Sequence, residues 1–148
     1  MKRSLAALAL FLASVTPAVA EIVKVPAKAG VAETADALEA AVTGAGLTVF
    51  ARIDHGRGAE SVGLSLGDSQ LLVFGSPKAG TPAMQAEPLA GLVLPLRVLV
   101  YEDGAGAVWL AYEAPADMLG ALGIPAEAPY VKGMTGALDK LTGAAAGG

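Results

Sequence analysis

The sequence predicts an α+β domain in two layers, with an antiparallel-rich sheet of about four to five strands and helices packed on one face. Three observations lead to this prediction. Short β-rich segments alternate with helical ones, and two of the strands form a clear hairpin. That hairpin is also apolar on both faces, so helices are expected to cover one of them.

The N-terminus has the pattern of a secretory signal peptide. Two basic residues precede an apolar run from 5 to 15, and Ala18-Val19-Ala20 forms a small-residue cleavage pattern. The run is shorter than the ~20 apolar residues that a membrane-spanning helix needs. We therefore expect cleavage after Ala20 and a periplasmic or secreted protein. The chain is divided into a signal peptide (1–20), a single domain (21–142) and a disordered Gly/Ala tail (143–148).

The composition excludes several classes of function. The chain has no Cys, so disulfides, thiol chemistry and thiolate metal sites are excluded, and His55 as the single His excludes a His-rich metal site. Ten basic residues stand against 14 acidic ones, for a formal net charge of -4. Such a chain is a poor nucleic-acid binder. The sequence thus predicts neither a cofactor or metal nor a nucleic-acid partner.

The first half of the domain contains two strands with a helix between them. A short strand, 22–25, ends at Pro26. The segment 34–45 has apolar residues at helical spacing, with Thr34 as the expected N-cap and glycines at the end. The β-rich segment 47–54 follows and leads into the Gly-rich loop that holds His55.

The middle of the domain predicts a strand followed by a short helix. The strand covers 70–74, and Thr81 is the expected N-cap with Pro82 as the first helical residue. Pro88 should end or kink this helix within two turns.

The hairpin is the clearest element, with strands at 96–102 and 108–113 around a Gly-rich turn in which Asp103 is the expected turn residue. We expect Tyr101 and Tyr112 to share one hairpin face, where they line a pocket or a dimer contact or simply pack in the core. Two helices complete the domain. A short one covers 116–122, and an amphipathic one covers 130–141 with its apolar side facing inward.

The loop from Gly75 to Gly80 fits only part of a phosphate-binding loop. The Lys and Ser/Thr that should follow Gly80 are replaced by Thr81 and Pro82, and Pro77 removes a backbone donor. A capped strand-to-helix turn is the expected structure. Free N–H groups at Ala83 and Met84, with Lys78 and the Thr81 hydroxyl, could also hold a small anion.

His55 beside Asp54 is the best candidate for acid–base chemistry. Imidazole titrates near neutrality, and a neighbouring carboxylate could orient it. Adjacent residues at a strand end point to opposite sides, however. A solvated or capping loop histidine is the competing interpretation.

Three separated motifs resemble the family called domain of unknown function 302. They are "FARIDH" (50–55), "LLVFGSPKAGT" (71–81) and "LPLRVLVYED" (94–103), the last followed by "VWLAYEAP" (108–115). The resemblance implies an α+β domain, often dimeric, with no established activity. The family's characteristic residues fall here on Asp54, His55, Gly75, Pro77, Lys78, Gly80, Thr81, Pro95, Leu96, Tyr101, Glu102 and Asp103.

This chain departs from the family pattern at two positions. Ser76 stands where Asn is common, and Val93 where Asp is common. The second change removes a charge, so a site that depends on that carboxylate is in doubt.

Three hypotheses about function follow. The first is a dimeric binding or accessory module in which His55, Lys78 and Thr81 form one site for a small anion or carboxylate, with Asp54, Tyr101 and Tyr112 as further candidates. The second is a metal-free hydrolase or lyase with His55 as general base and Lys78 stabilising an oxyanion. The third is a structural or partner-binding envelope protein whose motifs preserve turns and packing.

Overall fold

The computed structural model describes residues 20–147, which contain five strands and six helices. The predicted signal peptide lies outside these residues, apart from Ala20. The strands are β1 (Ile22–Pro26), β2 (Thr48–Asp54), β3 (Ser69–Gly75), β4 (Leu96–Glu102) and β5 (Val108–Glu113). The helices are α1 (Val31–Gly44), α2 (His55–Glu60), α3 (Pro77–Ala86), α4 (Ala90–Val93), α5 (Pro115–Gly120) and α6 (Pro129–Ala145).

The five strands form one sheet in the order β1-β5-β4-β3-β2, and every neighbouring pair is antiparallel. This confirms the predicted α+β class and its antiparallel sheet. Because neighbours run in opposite directions, the end of one strand lies beside the start of the next strand in the sheet. That rule decides below which sequence motifs can meet.

Helices cover one face of the sheet and leave the other open. Alternate residues of β4 show the difference: Leu96, Val98 and Val100 are buried, whereas Leu99 and Tyr101, which point to the other face, are only half-buried. The covered face and the helices form the core. Its largest fully buried side chains are Phe74, Leu38, Leu72, Leu110, Leu119, Leu138, Val42, Val98, Val100 and Val131.

Helix α1 begins three residues before its predicted start. Gly30 is its N-cap residue and offers no side-chain acceptor. Thr34, the predicted cap, is instead fully buried on the inner face of the helix, and its hydroxyl donates to the Ala29 carbonyl at 3.3 Å. The apolar stripe therefore extends one turn further toward the N-terminus than the capping residue suggests.

The last helix continues into the segment predicted to be a disordered tail. Helix α6 extends to Ala145, and both Ala145 and Ala146 are buried. Lys28 contacts the residues that follow this helix, since its Nζ donates to the Gly147 carbonyl at 2.6 Å. Alanine has the highest helix propensity and loses no side-chain entropy on burial, which favours helix here.

The hairpin register differs from the prediction by one residue. Tyr101 pairs directly with Trp109, so Tyr101 lies on the open face and Tyr112 on the covered one. Asp103 sets this register within the five-residue turn. Its carboxylate accepts hydrogen bonds from the backbone N–H groups of Ala105 and Ala107 and from the Trp109 indole at 2.8–3.0 Å.

Candidate functional site

Helix α3 is capped by Ser76, not by Thr81 as the sequence predicts. Ser76 has extended backbone geometry and its Oγ accepts from the Lys78 N–H at 3.2 Å, while Pro77 occupies the first helical position. Pro82 lies inside the helix. Proline is common directly after a hydroxyl-bearing N-cap, and both Ser76-Pro77 and Thr81-Pro82 fit this pattern. The same preference therefore explains why Thr81 was predicted as the cap and why Ser76 is the cap in the structure.

The earlier start of α3 removes the predicted anion cradle. The N–H groups of Ala79 and Gly80 both donate to the Ser76 carbonyl, at 3.1 and 3.0 Å. Ala83 and Met84, whose N–H groups were expected to be free at a helix start, lie in the second half of the helix. The backbone donors of this turn are therefore already used by Ser76.

His55 is the first residue of the short helix α2, and its side chain is exposed. Asp54 is the N-cap of this helix and accepts from the Arg57 N–H at 2.8 Å. The carboxylate that was expected to orient the imidazole therefore acts as a helix cap. The segment expected to be a Gly-rich loop is therefore a short helix, in which His55 is solvated and Asp54 is the capping residue.

The structure separates His55 from Lys78 and Thr81. Asp54 pairs with Gln70 at one end of β2 and β3, and Thr48 pairs with Gly75 at the other end. These ends are about 20 Å apart, at ~3.4 Å per residue along a strand. The expectation that the three residues form one site is wrong. Because β2 and β3 are antiparallel, the C-terminal end of β2 and the C-terminal end of β3 lie at opposite ends of the sheet. The hydrolase hypothesis that combined His55 with Lys78 fails for the same reason.

The two tyrosines do not form a common pocket either. Tyr112 is 5% exposed, and its hydroxyl donates to Oδ1 of Asp139 on α6 at 2.9 Å. Burial, together with this hydrogen bond, raises the pKa of Tyr112 to about 12. Tyr101 lies half-buried on the open face, where Nζ of Lys24 stands 5.8 Å from its ring centroid.

A cavity of about 310 Å³ opens where β3 ends and β4 begins. Helix α3 forms one wall, and the segment leading into β4, with its cis Leu94–Pro95 peptide bond, forms another. The lining residues are Phe50, Gly75, Ser76, Pro77, Ala79, Gly80, Thr81, Met84, Leu94, Pro95, Leu96 and Met134. This size falls at the lower end of the range for small-molecule sites.

The cavity is apolar, with a few polar atoms at one side. None of its lining residues is charged, and the side-chain hydroxyls of Ser76 and Thr81 are the polar groups among them. Phe50 and Met84 are 56% and 40% exposed, so the cavity has an open apolar rim. Lys78 does not line it, although its chain neighbours Pro77 and Ala79 do.

Sequence reasoning identified Thr81 but missed Phe50, Met84 and Met134. Phe50 lies at an irregularity between Val49 and Ala51 that breaks the pairing with β3. One signal was available in the sequence. The "GSPKAGT" motif follows β3 and the "LPL" motif precedes β4, and such segments meet whenever the two strands are antiparallel neighbours.

The residues carried over from the family resemblance divide between the two ends of the sheet. The cavity end holds Gly75, Pro77, Lys78, Gly80, Thr81, Pro95 and Leu96. The opposite end holds Asp54, His55, Tyr101, Glu102 and Asp103. The cavity is lined by residues from all three motifs: Phe50 from the first, Gly75 to Thr81 except Lys78 from the second, and Leu94 to Leu96 from the third.

Some curated relatives carry the name of a membrane channel. The chain is 44% identical over 95 residues to the "Fluoride-specific ion channel FluC 1" of Brucella suis biovar 1 and to that of Brucella abortus biovar 1. The match covers 64% of this chain but 37% and 35% of those proteins, so the chain spans little more than a third of their length. Among residues 20–147, none of the helices combines the length and apolar character that a bilayer crossing requires.

A solved structure shares the fold, and a family model covers most of the domain. The crystal structure of an uncharacterized conserved DUF302 protein from Bacillus stearothermophilus superimposes with a TM-score of 0.68 at 20% identity, covering 85% of this chain and 95% of that one. The family model described as "Domain of unknown function DUF302" matches residues 23–145. The chain therefore belongs to the DUF302 family.

Proposed function

We propose that this protein is an exported, dimeric binding module whose cavity takes a small and largely apolar molecule. The cavity of about 310 Å³ carries the proposal, because three separate sequence motifs contribute residues to its lining. Concave, mostly apolar sites with a few polar groups are the usual form of small-molecule sites. Of the ligand residues expected from the sequence, Thr81 belongs to this site, whereas His55 and Asp54 lie at the other end of the sheet.

A substitution that fills the cavity tests this proposal. Gly80 lies on the α3 wall, and a Cβ built there would stand 3.6 Å from Cε of Met84, in ordinary contact. A leucine at this position occupies cavity volume. We expect Gly80→Leu to weaken binding of the neutral apolar dye N-phenyl-1-naphthylamine, followed by fluorescence, at least about tenfold, or about 1.4 kcal/mol.

Gly136→Leu is the matched control, since Gly136 lies exposed inside α6 and a Cβ there would meet nothing within 4 Å. Circular dichroism checks that both variants fold, and Gly80→Ala is the milder replacement if Gly80→Leu does not. Equal dye binding by the cavity variant and the control would exclude the cavity as the site.

The open sheet face is the proposed dimer contact. Leu71, Val73, Leu99 and Trp109 are half-buried on it, and its charged groups include Arg97 and Glu113, which pair at 2.9 Å. Five strands spaced ~4.8 Å apart and ~20 Å long present about 500 Å² per protomer. Two such faces approach the ~1,000 Å² of a specific interface, and the apolar side chains of this face suit one.

Sedimentation velocity tests the dimer. Leu99→Glu places a charge in the middle of the open face and should shift the protein from dimer to monomer at micromolar concentration. Ala105→Glu, in the exposed turn, is the control and should remain dimeric. A wild-type protein that sediments as a monomer would contradict the proposal.

The export proposal depends on the N-terminal pattern alone. We expect protein isolated from the periplasm or culture medium to begin at Glu21, with the mass of residues 21–148, because Ala18-Val19-Ala20 fits the cleavage pattern. Protein that keeps residues 1–20 and fractionates with the cytoplasm would overturn this proposal.

A second candidate function is that of an accessory domain of a membrane ion channel. The Brucella relatives favour it, since a stretch 44% identical to this chain occurs there within longer proteins named fluoride-specific ion channels. Removing the 95 matched residues from the Brucella suis protein should change fluoride efflux from liposomes, measured with a fluoride electrode, without abolishing it. Unchanged efflux would count against an accessory role.

A further inference from the structure

The residues around the cavity also indicate which kind of ligand it takes. The inference below rests on the binding function proposed above. We infer that the ligand is an amphipathic monoanion. Its apolar body fills the cavity, and its single negatively charged group lies outside, at Lys78 and Thr81. A medium-chain carboxylate has this chemistry.

The lining determines where the apolar body lies. Phe50, Met84 and Met134 line the cavity together with Leu94 and Leu96, and no charged residue does. A charge inside this lining would lose its hydration without gaining a partner, at a cost of several kcal/mol. The apolar part of an amphipathic ligand therefore lies inside, and the charged part stays at the rim.

The charge distribution along α3 determines the sign of the polar part. Lys78 is the one charged residue of this ten-residue helix. It precedes Thr81 by three positions, and residues at this spacing are neighbours on a helix surface. Thr81 lines the cavity and both residues are exposed, so the lysine lies beside a residue of the cavity wall on the outer surface of α3. The chain carries a formal net charge of -4, so Lys78 supplies a local positive charge that favours an anion over a cation at this rim.

Lys78 contributes more to the preference for an anionic ligand over a neutral one than to the total affinity. Its side chain is exposed, and exposed ion pairs contribute about 0.2–1 kcal/mol, or roughly a 1.4- to 5-fold change in affinity. The apolar body supplies the remainder through the area it removes from water. The expected signature is a modest, salt-sensitive preference for a carboxylate over the neutral molecule of the same chain length.

Paired ligands and paired variants test the inference. Octanoate and 1-octanol differ in their polar end, and each is titrated in competition with the neutral dye. We expect Lys78→Met to weaken octanoate binding by about two- to fivefold and to leave 1-octanol binding unchanged. Lys140→Met, an exposed lysine of α6, removes the same net charge and should change neither. Raising the salt from 20 to 500 mM should reduce the octanoate loss.

The outcomes separate this inference from the binding function itself. If both ligands bind but Lys78→Met weakens neither, or if Lys140→Met weakens octanoate as much, the anionic-head assignment is wrong and the apolar site stands. If neither ligand binds to the wild type, or Gly80→Leu leaves both affinities unchanged, the binding function fails and the inference fails with it.

Discussion

The two ends of the sheet carry comparable sequence motifs but differ in structure. At one end, the segments after β3 and before β4 enclose an apolar cavity beneath α3. At the other end, Asp54 and His55 begin an exposed one-and-a-half-turn helix, followed by a loop in which Val62, Leu64 and Leu66 are 53–70% exposed. In an antiparallel sheet, motifs that follow two neighbouring strands lie at opposite ends of the sheet. Proximity in sequence order therefore does not indicate a common site.

The largest expected difference between the two ends is in packing. Leu96 lies on the cavity wall and is 8% exposed, whereas Ile53, near the His55 end, is 43% exposed. We expect Leu96→Ala to lower the free energy of unfolding by about 2–4 kcal/mol, since it removes buried methyl groups and enlarges a cavity. Ile53→Ala should cost less than about 1 kcal/mol. Urea denaturation measures both, and equal losses would mean that the two ends are packed alike.

Acidification should weaken the His55 end through the turn that follows β4. The hydrogen bond from the Trp109 indole, followed by those from the Ala107 and Ala105 N–H groups, holds the pKa of Asp103 below its ordinary value of 3.8. A carboxyl whose pKa is lower in the folded state stabilises the fold above its unfolded pKa, and this stabilisation is lost as the pH falls through the folded value.

Asp103→Asn identifies this contribution. Asparagine keeps an acceptor for the backbone but presents no charge to the Trp109 indole. We expect the variant to be less stable than the wild type at pH 7, with a difference that shrinks between pH 4 and pH 2 in urea titrations. A constant difference across that range would exclude Asp103 as the titrating group.

Helix capping should have an intermediate effect at both ends. Asp54 accepts one backbone hydrogen bond for α2 at 2.8 Å, and Ser76 accepts one for α3 at 3.2 Å. Loss of such a cap costs about 0.5–2 kcal/mol. Asp54→Ala and Ser76→Ala should each lower thermal stability within this range, as measured by calorimetry. Unchanged melting of either variant would indicate that water replaces that cap fully.

The smallest effect is expected for His55, the best candidate for acid–base chemistry in the sequence. His55 is exposed and lies about 20 Å from the cavity along the strands. His55→Ala should change stability by no more than about 0.5 kcal/mol and leave dye binding unaltered. A clear loss of dye binding in this variant would link the two ends and contradict their independence.

Much of the fold was predictable because its signals are local. The hairpin strands 96–102 and 108–113 coincide with β4 and β5, since two apolar runs flank one Gly-rich turn. The start of α1 was missed because Gly30 provides no capping side chain. Tyr101 and Tyr112 were expected on one face but lie on opposite faces, because both sides of the hairpin are apolar and the apolar pattern does not define the register.

The candidate site was less predictable because it is assembled from distant parts of the chain. Phe50, Thr81 and Met134 belong to a bulged strand, a helix interior and the last helix, and no local pattern connects them. The motif around Thr81 was expected to be a capped strand-to-helix turn that could also hold a small anion, because Thr81-Pro82 resembles a helix start. The strand order decides which motifs meet, and the notion that all strand ends converge holds only for parallel strands.

The methionines in the cavity wall give the site a sensitivity to oxidants. The chain has no cysteine, and of its four methionines Met84 and Met134 line the cavity. Met84 is 40% exposed, while Met134 is 3% exposed. Oxidation therefore reaches Met84 first and converts an apolar, flexible thioether into a polar sulfoxide on the rim. We therefore expect peroxide to weaken the binding of apolar molecules proposed for this cavity, without unfolding the protein, until the sulfoxide is reduced.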